Sequence, residues 1–570
     1  MKRIFFTILL FFASNLLFGQ FVIKQDQISH PIQIPLSFSG SFGELRSDHF
    51  HSGIDLRVQQ KEGLPIYAAD DGIVSRIKVS PVGYGNALYI SHANGITTVY
   101  GHLRNYNDVI TKYVTKQQYK RQSFAVDLFP SPFTDKISVK KGEIIGYAGN
   151  TGSSGGPHLH FEVRNTVTER PLNPLLFGVK VNDIHYPEIQ SLKLYSENKS
   201  EIVNYPQSDK IFKVIAVSNK KYKLSTDTIT LSGEYSFGVK AIDRMTSKND
   251  RNGWYMMEVF IDDEPLFEMK MDSFSFAESR YINASIDYYE YDKGNGRYIV
   301  TKKLPGNKFS CFNTFNGNGI FNFQPNNVYK VEVKISDYSG KTSVLEFWVK
   351  SVYDSAFVST PNIESTFTNL FLYNQENKFS NDEIEVVIPK GSLYQDMYFE
   401  CSSTKQNTNS YSDIFQIHSS SVPLHKQIKV GVKKHNIPEE LKSKTIAVRI
   451  DKKNKKSSVG GEFVSNGHFI FSTRSFGNYV LEVDTVKPSI SNITGKNVGV
   501  LIFRVYDELS GIADYKGVLN GSWALVSWDP KTKAMKYTYD HLVKKGQNEF
   551  VLHVTDKVGN KNKLRVVFNN

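Results

Sequence analysis

Between Pro65 and Tyr100 short apolar runs alternate with glycine-bearing turns: Ile66-Tyr67-Ala68, Gly72-Ile73-Val74, Ala87-Leu88-Tyr89-Ile90 and Thr97-Thr98-Val99-Tyr100. Short apolar and β-branched runs bounded by turn residues predict strands. Asn94-Gly95 separates two of the runs and predicts a hairpin turn, because both residues accept positive φ. Further on, the stretch His158-Leu159-His160-Phe161-Glu162-Val163 alternates strictly. In a strand, Leu159, Phe161 and Val163 then share one face and His158, His160 and Glu162 the other. One segment has a different period. From Tyr106, apolar residues recur at Val109, Ile110, Tyr113 and Val114, with Lys112, Lys116 and Lys120 on other faces, which predicts a helix. Residues 124–128 read as a short strand, after which Pro130 and Pro132 break the chain.

Past residue 185 a unit recurs: an alternating strand, an Asp, and a turn that often carries Gly. It reads K-V-E-V-K-I-S-D-Y-S-G from Lys330, F-R-V-Y-D-E-L-S-G from Phe503 and L-H-V-T-D-K-V-G-N from Leu552. Alternation suits strands with one buried face, and Asp and Gly suit the turns that follow. The expected fold class is predominantly all-β. Residues 21–180 form an antiparallel domain with a small helical insertion at 105–138. β-Sandwich modules follow at 181–352 and 380–483, joined by a Ser/Thr/Asn-rich linker at 353–379. The last module, 484–570, resembles bacterial immunoglobulin-like modules.

Composition changes this picture in two places. The chain of 570 residues is too long for one core. Its formal charge of +12 suits an anionic partner without choosing between nucleic acid, membrane surface and cell wall. Residues 1–20 start with Lys2 and Arg3, continue as an apolar run from Ile4 to Ala13 and reach small Gly19. That is a secretory signal pattern, too short for a comfortable membrane span, so an exported chain with no transmembrane span after cleavage is expected. Cys311 and Cys401 are the two cysteines, and nothing in their spacing shows whether they pair.

Candidate chemistry concentrates early: seven of the 14 histidines lie between residues 30 and 160. His51-Ser52-Gly53-Ile54-Asp55 sets an imidazole and a carboxylate around a glycine. Both heads are good zinc ligands, and Gly53 is expected to permit a tight bend that lets them converge. Alone, this spacing also occurs among surface polar residues. His158 and His160 stand side by side on one strand face, where one metal could meet both; two exposed strand histidines are the other reading. Alternation does not choose a ligand between them. His102 ends the Val99-Tyr100-Gly101-His102-Leu103 run and by itself reads as a structural histidine.

In order, the pieces H-x-G-x-D, Y-x-H-L and G-P-H-L-H-F-E resemble the lysostaphin/LytM-type zinc metallopeptidases, which are peptidoglycan endopeptidases. Supporting matches are Pro65-Ile66-Tyr67-Ala68-Ala69, Gly83-Tyr84-Gly85-Asn86, Val139-Lys140-Lys141-Gly142-Glu143 and Gly146-Tyr147-Ala148-Gly149-Asn150-Thr151-Gly152. The resemblance covers about residues 45–175. It implies one Zn2+ per chain held by His51, Asp55 and His160, with His102 and His158 as non-ligand catalytic histidines. Three protein ligands leave a coordination position open, as catalytic rather than structural sites do. No H-E-x-x-H helix is present, so a thermolysin-type Glu base is not expected. Tyr84 and Asn86 are candidates to line the substrate groove. The implied partner is peptidoglycan, with cell-envelope protein regulators as further candidates and no nucleic acid, in the periplasm or at the cell surface.

The segment 105–138 is longer than the resemblance leads one to expect. It is either a helix packed on the domain or a lid over the groove. No ligand cluster appears past residue 185, so the later modules are expected to place the enzyme rather than build its site. Two other functions compete with the endopeptidase: a catalytically silent adaptor that regulates other wall hydrolases, and a surface adhesin.

Overall fold

A computed structural model of the chain describes residues 28–197, 210–247, 249, 251–352, 369–406, 411–495 and 499–570. The expected signal segment and most of the expected linker fall outside the described residues. No helix among the described residues is long and apolar enough to cross a membrane.

The first part of the chain contains β1 (Phe38–Gly40), β2 (Ile54–Arg57), β3 (Pro65–Tyr67), β4 (Gly72–Val79), β5 (Asn86–Ser91), β6 (Ile96–Leu103) and β7 (Asn105–Tyr106). Then come α1 (Asp108–Arg121), β8 (Val126–Leu128), β9 (Ser138–Val139), β10 (Ile144–Tyr147), β11 (His158–Asn165) and β12 (Pro171–Leu172). The main antiparallel sheet runs β1-β2-β11-β6-β5-β4-β8, with β12 beside β11 and β9 beside β4; β3-β10-β7 form a small second sheet. Leu159, Phe161 and Val163 face the core as alternation requires. The opposite face of β11 is covered too: His160, Glu162 and Arg164 are buried.

The helix in the 105–138 insertion is set by local chemistry. The Asn107 side chain accepts from the Ile110 N–H at 3.0 Å and caps its start, and Gln122 ends it in the left-handed region. Ile110, Val114 and Gln118 are buried, whereas Val109 is 65% exposed, so the inward stripe is narrower than the sequence pattern predicts. The helix follows β7 and precedes β8, the sheet strand farthest from β1 and β2. It packs against β7 and β8.

The remaining chain is β-rich. Residues 188–351 build one large sheet system, in which Lys221–Leu224 and Thr228–Leu231 run parallel to Thr342–Ser351. Two five-stranded sheets occupy 377–483, and two four-stranded sheets occupy 489–569. These last two regions have their own cores, but one continuous core runs from Ile28 to Val349. In it Phe50 stacks on Phe309 at 4.4 Å and meets Phe274 at 5.9 Å. Cys311 and Cys401 are both free thiols.

Candidate metal centre

Strand register assembles the centre. On β11, His160 lies directly opposite Asp55 of β2 and, on the other side, opposite Gly101 of β6, next to His102. His51 enters from the segment before β2. Gly53 is needed for close approach rather than for a bend: a Cβ there would sit 2.5 Å from the Phe161 carbonyl oxygen and 2.8 Å from Glu162 Cγ.

Three atoms converge. His160 Nδ1 is 2.9 Å and His51 Nε2 is 3.1 Å from Asp55 Oδ1, and the two nitrogens are 3.1 Å apart. The other side of each imidazole fixes its tautomer. His51 Nδ1 lies 2.8 Å from the Ser41 carbonyl, which can only accept, so Nδ1 carries the hydrogen and Nε2 the lone pair. His160 Nε2 lies 2.8 Å from Glu162 Oε1 and donates to that carboxylate, leaving the Nδ1 lone pair inward. A single proton between His160 and Asp55 would satisfy two of the three atoms; a divalent cation would satisfy all three. The donor set, two imidazoles and a carboxylate, fits zinc.

The charges agree. Burial opposes ionisation of Asp55, but His51, His158 and His160 outweigh it and hold the carboxyl well below its usual range. Burial lowers the His51 pKa, favouring the neutral form a ligand requires. Burial also disfavours a charged His160, but Asp55 and Glu162 outweigh it and raise the pKa to about 9, so metal binding there must displace a proton. Arg46 donates from Nη2 to Asp55 Oδ2 at 2.7 Å, leaving Oδ1 to face the histidines.

His102 and His158 stand beside this group with ring centroids 4.8 Å apart. His102 Nδ1 donates to the Thr151 carbonyl at 2.8 Å and His158 Nδ1 to the Gly156 carbonyl at 2.9 Å. His102 therefore presents an Nε2 lone pair, while His158 Nε2 faces Asp55 Oδ1 at 3.4 Å. His102 has φ +59°, a strained conformation for a non-glycine residue. Burial, then repulsion from His160 and His158, pushes its pKa down to about 3. An open groove of about 680 Å3 adjoins Asp55 and His158, with Arg46, Arg57 and Pro157 in its walls.

Tyr84 and Asn86 are both committed to protein partners. The Tyr84 hydroxyl donates to Glu162 Oε1 at 2.5 Å, and its ring stacks on His160 at 5.0 Å. Asn86 Nδ2 donates to the Arg104 carbonyl at 3.1 Å. His92 is structural, bridging the Asp71 carbonyl and Thr98 Oγ1.

Sequence reasoning missed Glu162 and the support from residues beyond 180. Glu162 is fully buried, and its carboxylate gathers His160, Tyr84, Ser52 at 2.7 Å and Arg164 at 2.6 Å. Its place on the histidine face of β11 was the available signal. Behind His51, Ser279 Oγ accepts from the Phe50 N–H at 3.0 Å, and Phe50 packs on Phe309. The module after residue 180 thus buttresses a candidate ligand, contrary to the expectation that it takes no part in building the site. A separate group in the last module, Asp484, Asp507 and Asp556, also brings carboxylates together. Their oxygens accept N–H groups from Val486, Ser510, Gly511, Val558 and Asn560.

Residues 49–119 and 133–174 match Peptidase family M23, and residues 368–484 match the Zu5-like domain. The break between the two M23 segments lies inside the 105–138 insertion. Over 131 residues the chain is 34% identical to the DD-carboxypeptidase/endopeptidase Mpg of Neisseria meningitidis serogroup B, covering 23% of each protein. Over 125 residues it is 32% identical to the peptidoglycan DD-endopeptidase ShyA of Vibrio cholerae serotype O1, covering 22% of each. The chain therefore spans under a quarter of the length of these curated relatives. The catalytic domain of lysostaphin from Staphylococcus simulans is 25% identical, with 25% of this chain and 90% of that domain covered, at a TM-score of 0.19. The chain carries an M23, LytM-type peptidase domain.

Proposed function

We propose that this domain makes the protein an exported, zinc-dependent endopeptidase that hydrolyses peptide cross-links of peptidoglycan, in the periplasm or at the cell surface. The observation that carries the reading is the convergence of His51 Nε2, Asp55 Oδ1 and His160 Nδ1, each turned inward by a partner on its outer side. The M23 match and the named activities of the relatives supply the substrate class. Zinc held by these three atoms would supply Lewis acidity toward a peptide carbonyl and toward water.

The chain's own residues do the rest. His102 and His158 each keep a hydrogen on Nδ1 for a backbone carbonyl, and His102 is free to accept a proton at Nε2. Burial keeps the His102 ring neutral at ordinary pH, so its Nε2 lone pair is unprotonated. Once protonated, either imidazole can donate to the leaving amine or steady a developing oxyanion. Arg57, exposed in the groove wall, suits a substrate bearing carboxylates, as wall stem peptides do.

Incubating the zinc-loaded protein with purified cross-linked muropeptides, and weighing the products by mass spectrometry, tests the proposal. Conversion of dimers to monomers is expected. Intact dimers with zinc fully bound would favour a silent adaptor.

A further inference from the structure

A turn of the last module reaches the loop that orients His102 and His158. It joins the strands Val526–Asp529 and Ala534–Thr538. Asp529 shapes it: Oδ1 accepts from the Lys531 N–H at 3.1 Å, Oδ2 accepts from Thr532 Oγ1 at 2.9 Å, and Lys533 has φ +55°. Lys531 is left at the tip. Its ammonium donates to the carbonyl oxygens of Asn150 and, at 3.1 Å, of Ser154. Asn150 Oδ1 is 3.5 Å away.

Asn150 directly precedes Thr151, and Ser154 lies two positions before Gly156, the two histidine partners. Thr151 supplies the carbonyl that holds His102 Nδ1. Ser154 Oγ lies 3.2 Å from His158 Nδ1 and donates to the Gly156 carbonyl that holds the same nitrogen. The first half of the loop is tied elsewhere: Ser153 donates its N–H to the Gly83 carbonyl at 2.8 Å and accepts from the Gly83 N–H at 2.9 Å. The second half is Gly155-Gly156, where an added Cβ would meet nothing within 4 Å. Side-chain packing does not fix those residues, so a charge-assisted tie at Ser154 restrains the part of the loop next to His158.

A second contact holds the module in place. Tyr119 of α1 lies edge-on to Trp523 at 5.2 Å and to His541 at 5.0 Å. Its hydroxyl donates to Asp540, which also accepts from Tyr537 at 2.7 Å. Since α1 is anchored through buried Ile110, Val114 and Gln118, the insertion provides a rigid dock beside β8.

We propose that Lys531 is a positioning residue for the His102–His158 pair, delivered by docking of the last module on Tyr119 of the insertion. The inference rests on the peptidase reading above. The test compares the full chain with its Lys531→Met, Lys531→Arg and Tyr119→Ala variants. Measured are kcat and KM on cross-linked muropeptides, zinc content, and hydrogen exchange of the 153–156 amides. Lys531→Met should lower kcat about 10- to 100-fold, since small misplacements of reacting groups cost this much. KM and zinc should hold, and the 153–156 amides should exchange faster. Arg, which can serve two carbonyls, should restore most of the rate; Tyr119→Ala should resemble Lys531→Met. An active wild type with unchanged kcat and exchange in Lys531→Met overturns the inference, as does a loss that comes with zinc loss and that Arg does not restore. A wild type inactive on every wall substrate refutes the peptidase reading instead. Exchange then still decides the tie: faster in Lys531→Met supports it, unchanged overturns it.

Discussion

Glu162→Gln probes the support behind the centre, because the substitution keeps shape and removes charge. The native carboxylate accepts from His160 Nε2 at 2.8 Å, Tyr84 at 2.5 Å and Ser52 at 2.7 Å on Oε1, and from Arg164 at 2.6 Å on Oε2. A glutamine has one acceptor end. If its oxygen stays toward His160, its NH2 faces Arg164, whose side chain is 6% exposed, and a buried cation loses its near partner, keeping only Glu169 at 3.8 Å. Breaking such a pair costs about 3–5 kcal/mol. If the amide flips, its NH2 faces His160 Nε2, which must then accept, and the imidazole hydrogen moves to Nδ1, the atom offered to zinc. Loss of an outer partner of this kind costs about 10- to 100-fold in metal affinity, or about 1.4–2.8 kcal/mol. Either orientation is therefore measurable. Zinc affinity from competition with a chromophoric chelator, and melting with and without zinc, should show at least one of the two losses. Wild-type affinity together with a wild-type melt would refute the claim that Glu162 sets the His160 tautomer.

His102→Ala should retain zinc, since His102 is outside the converging group, and should lose about 100- to 10,000-fold in turnover; metal analysis beside kcat checks this. Ending the chain at Gly178 should yield an aggregating or zinc-poor protein, because Phe42 and Phe50 lose their cover from residues 274 and 309. About 1.5–3 kcal/mol per exposed Phe is at stake, and a monodisperse, zinc-replete fragment would contradict it. His418 is buried between Phe399 and Phe476 with neither ring nitrogen hydrogen-bonded, and burial pushes its pKa down to about 4 from 6.5. Below pH 6.5 the unfolded chain takes up a proton that the folded one refuses, so stability falls as pH drops toward 4, by about 3 kcal/mol. His418→Asn, suited to the left-handed backbone there, should flatten acid melting between pH 6.5 and 4.

The centre was largely legible because its parts are local patterns. H-x-G-x-D and H-L-H-F-E each lie within a few residues, and strand alternation alone puts His158, His160 and Glu162 on one face. Alternation could not separate His158 from His160, since both share that face. The structural distinction is the pairing of β11 with β2, which sets His160 against Asp55. Glu162 escaped because its partners Ser52 and Tyr84 arrive from segments 110 and 78 positions away. The aromatic cluster of Phe42, Phe50, Phe274 and Phe309 spans too much of the chain for any periodicity to reveal it. The helix in the insertion was visible from its spacing, but not its location, because the surface it covers belongs to strands that pair only in the folded sheet. Gly53 was rightly singled out for a different reason, since the crowding it relieves comes from β11 across the sheet.

Anomalous scattering at the zinc absorption edge, from crystals of the zinc-loaded protein, tests the central claim most directly. A strong peak should lie between His51 Nε2, Asp55 Oδ1 and His160 Nδ1, within about 2.0–2.2 Å of each atom. No peak there, or a peak only at the Asp484, Asp507 and Asp556 carboxylates, would contradict it.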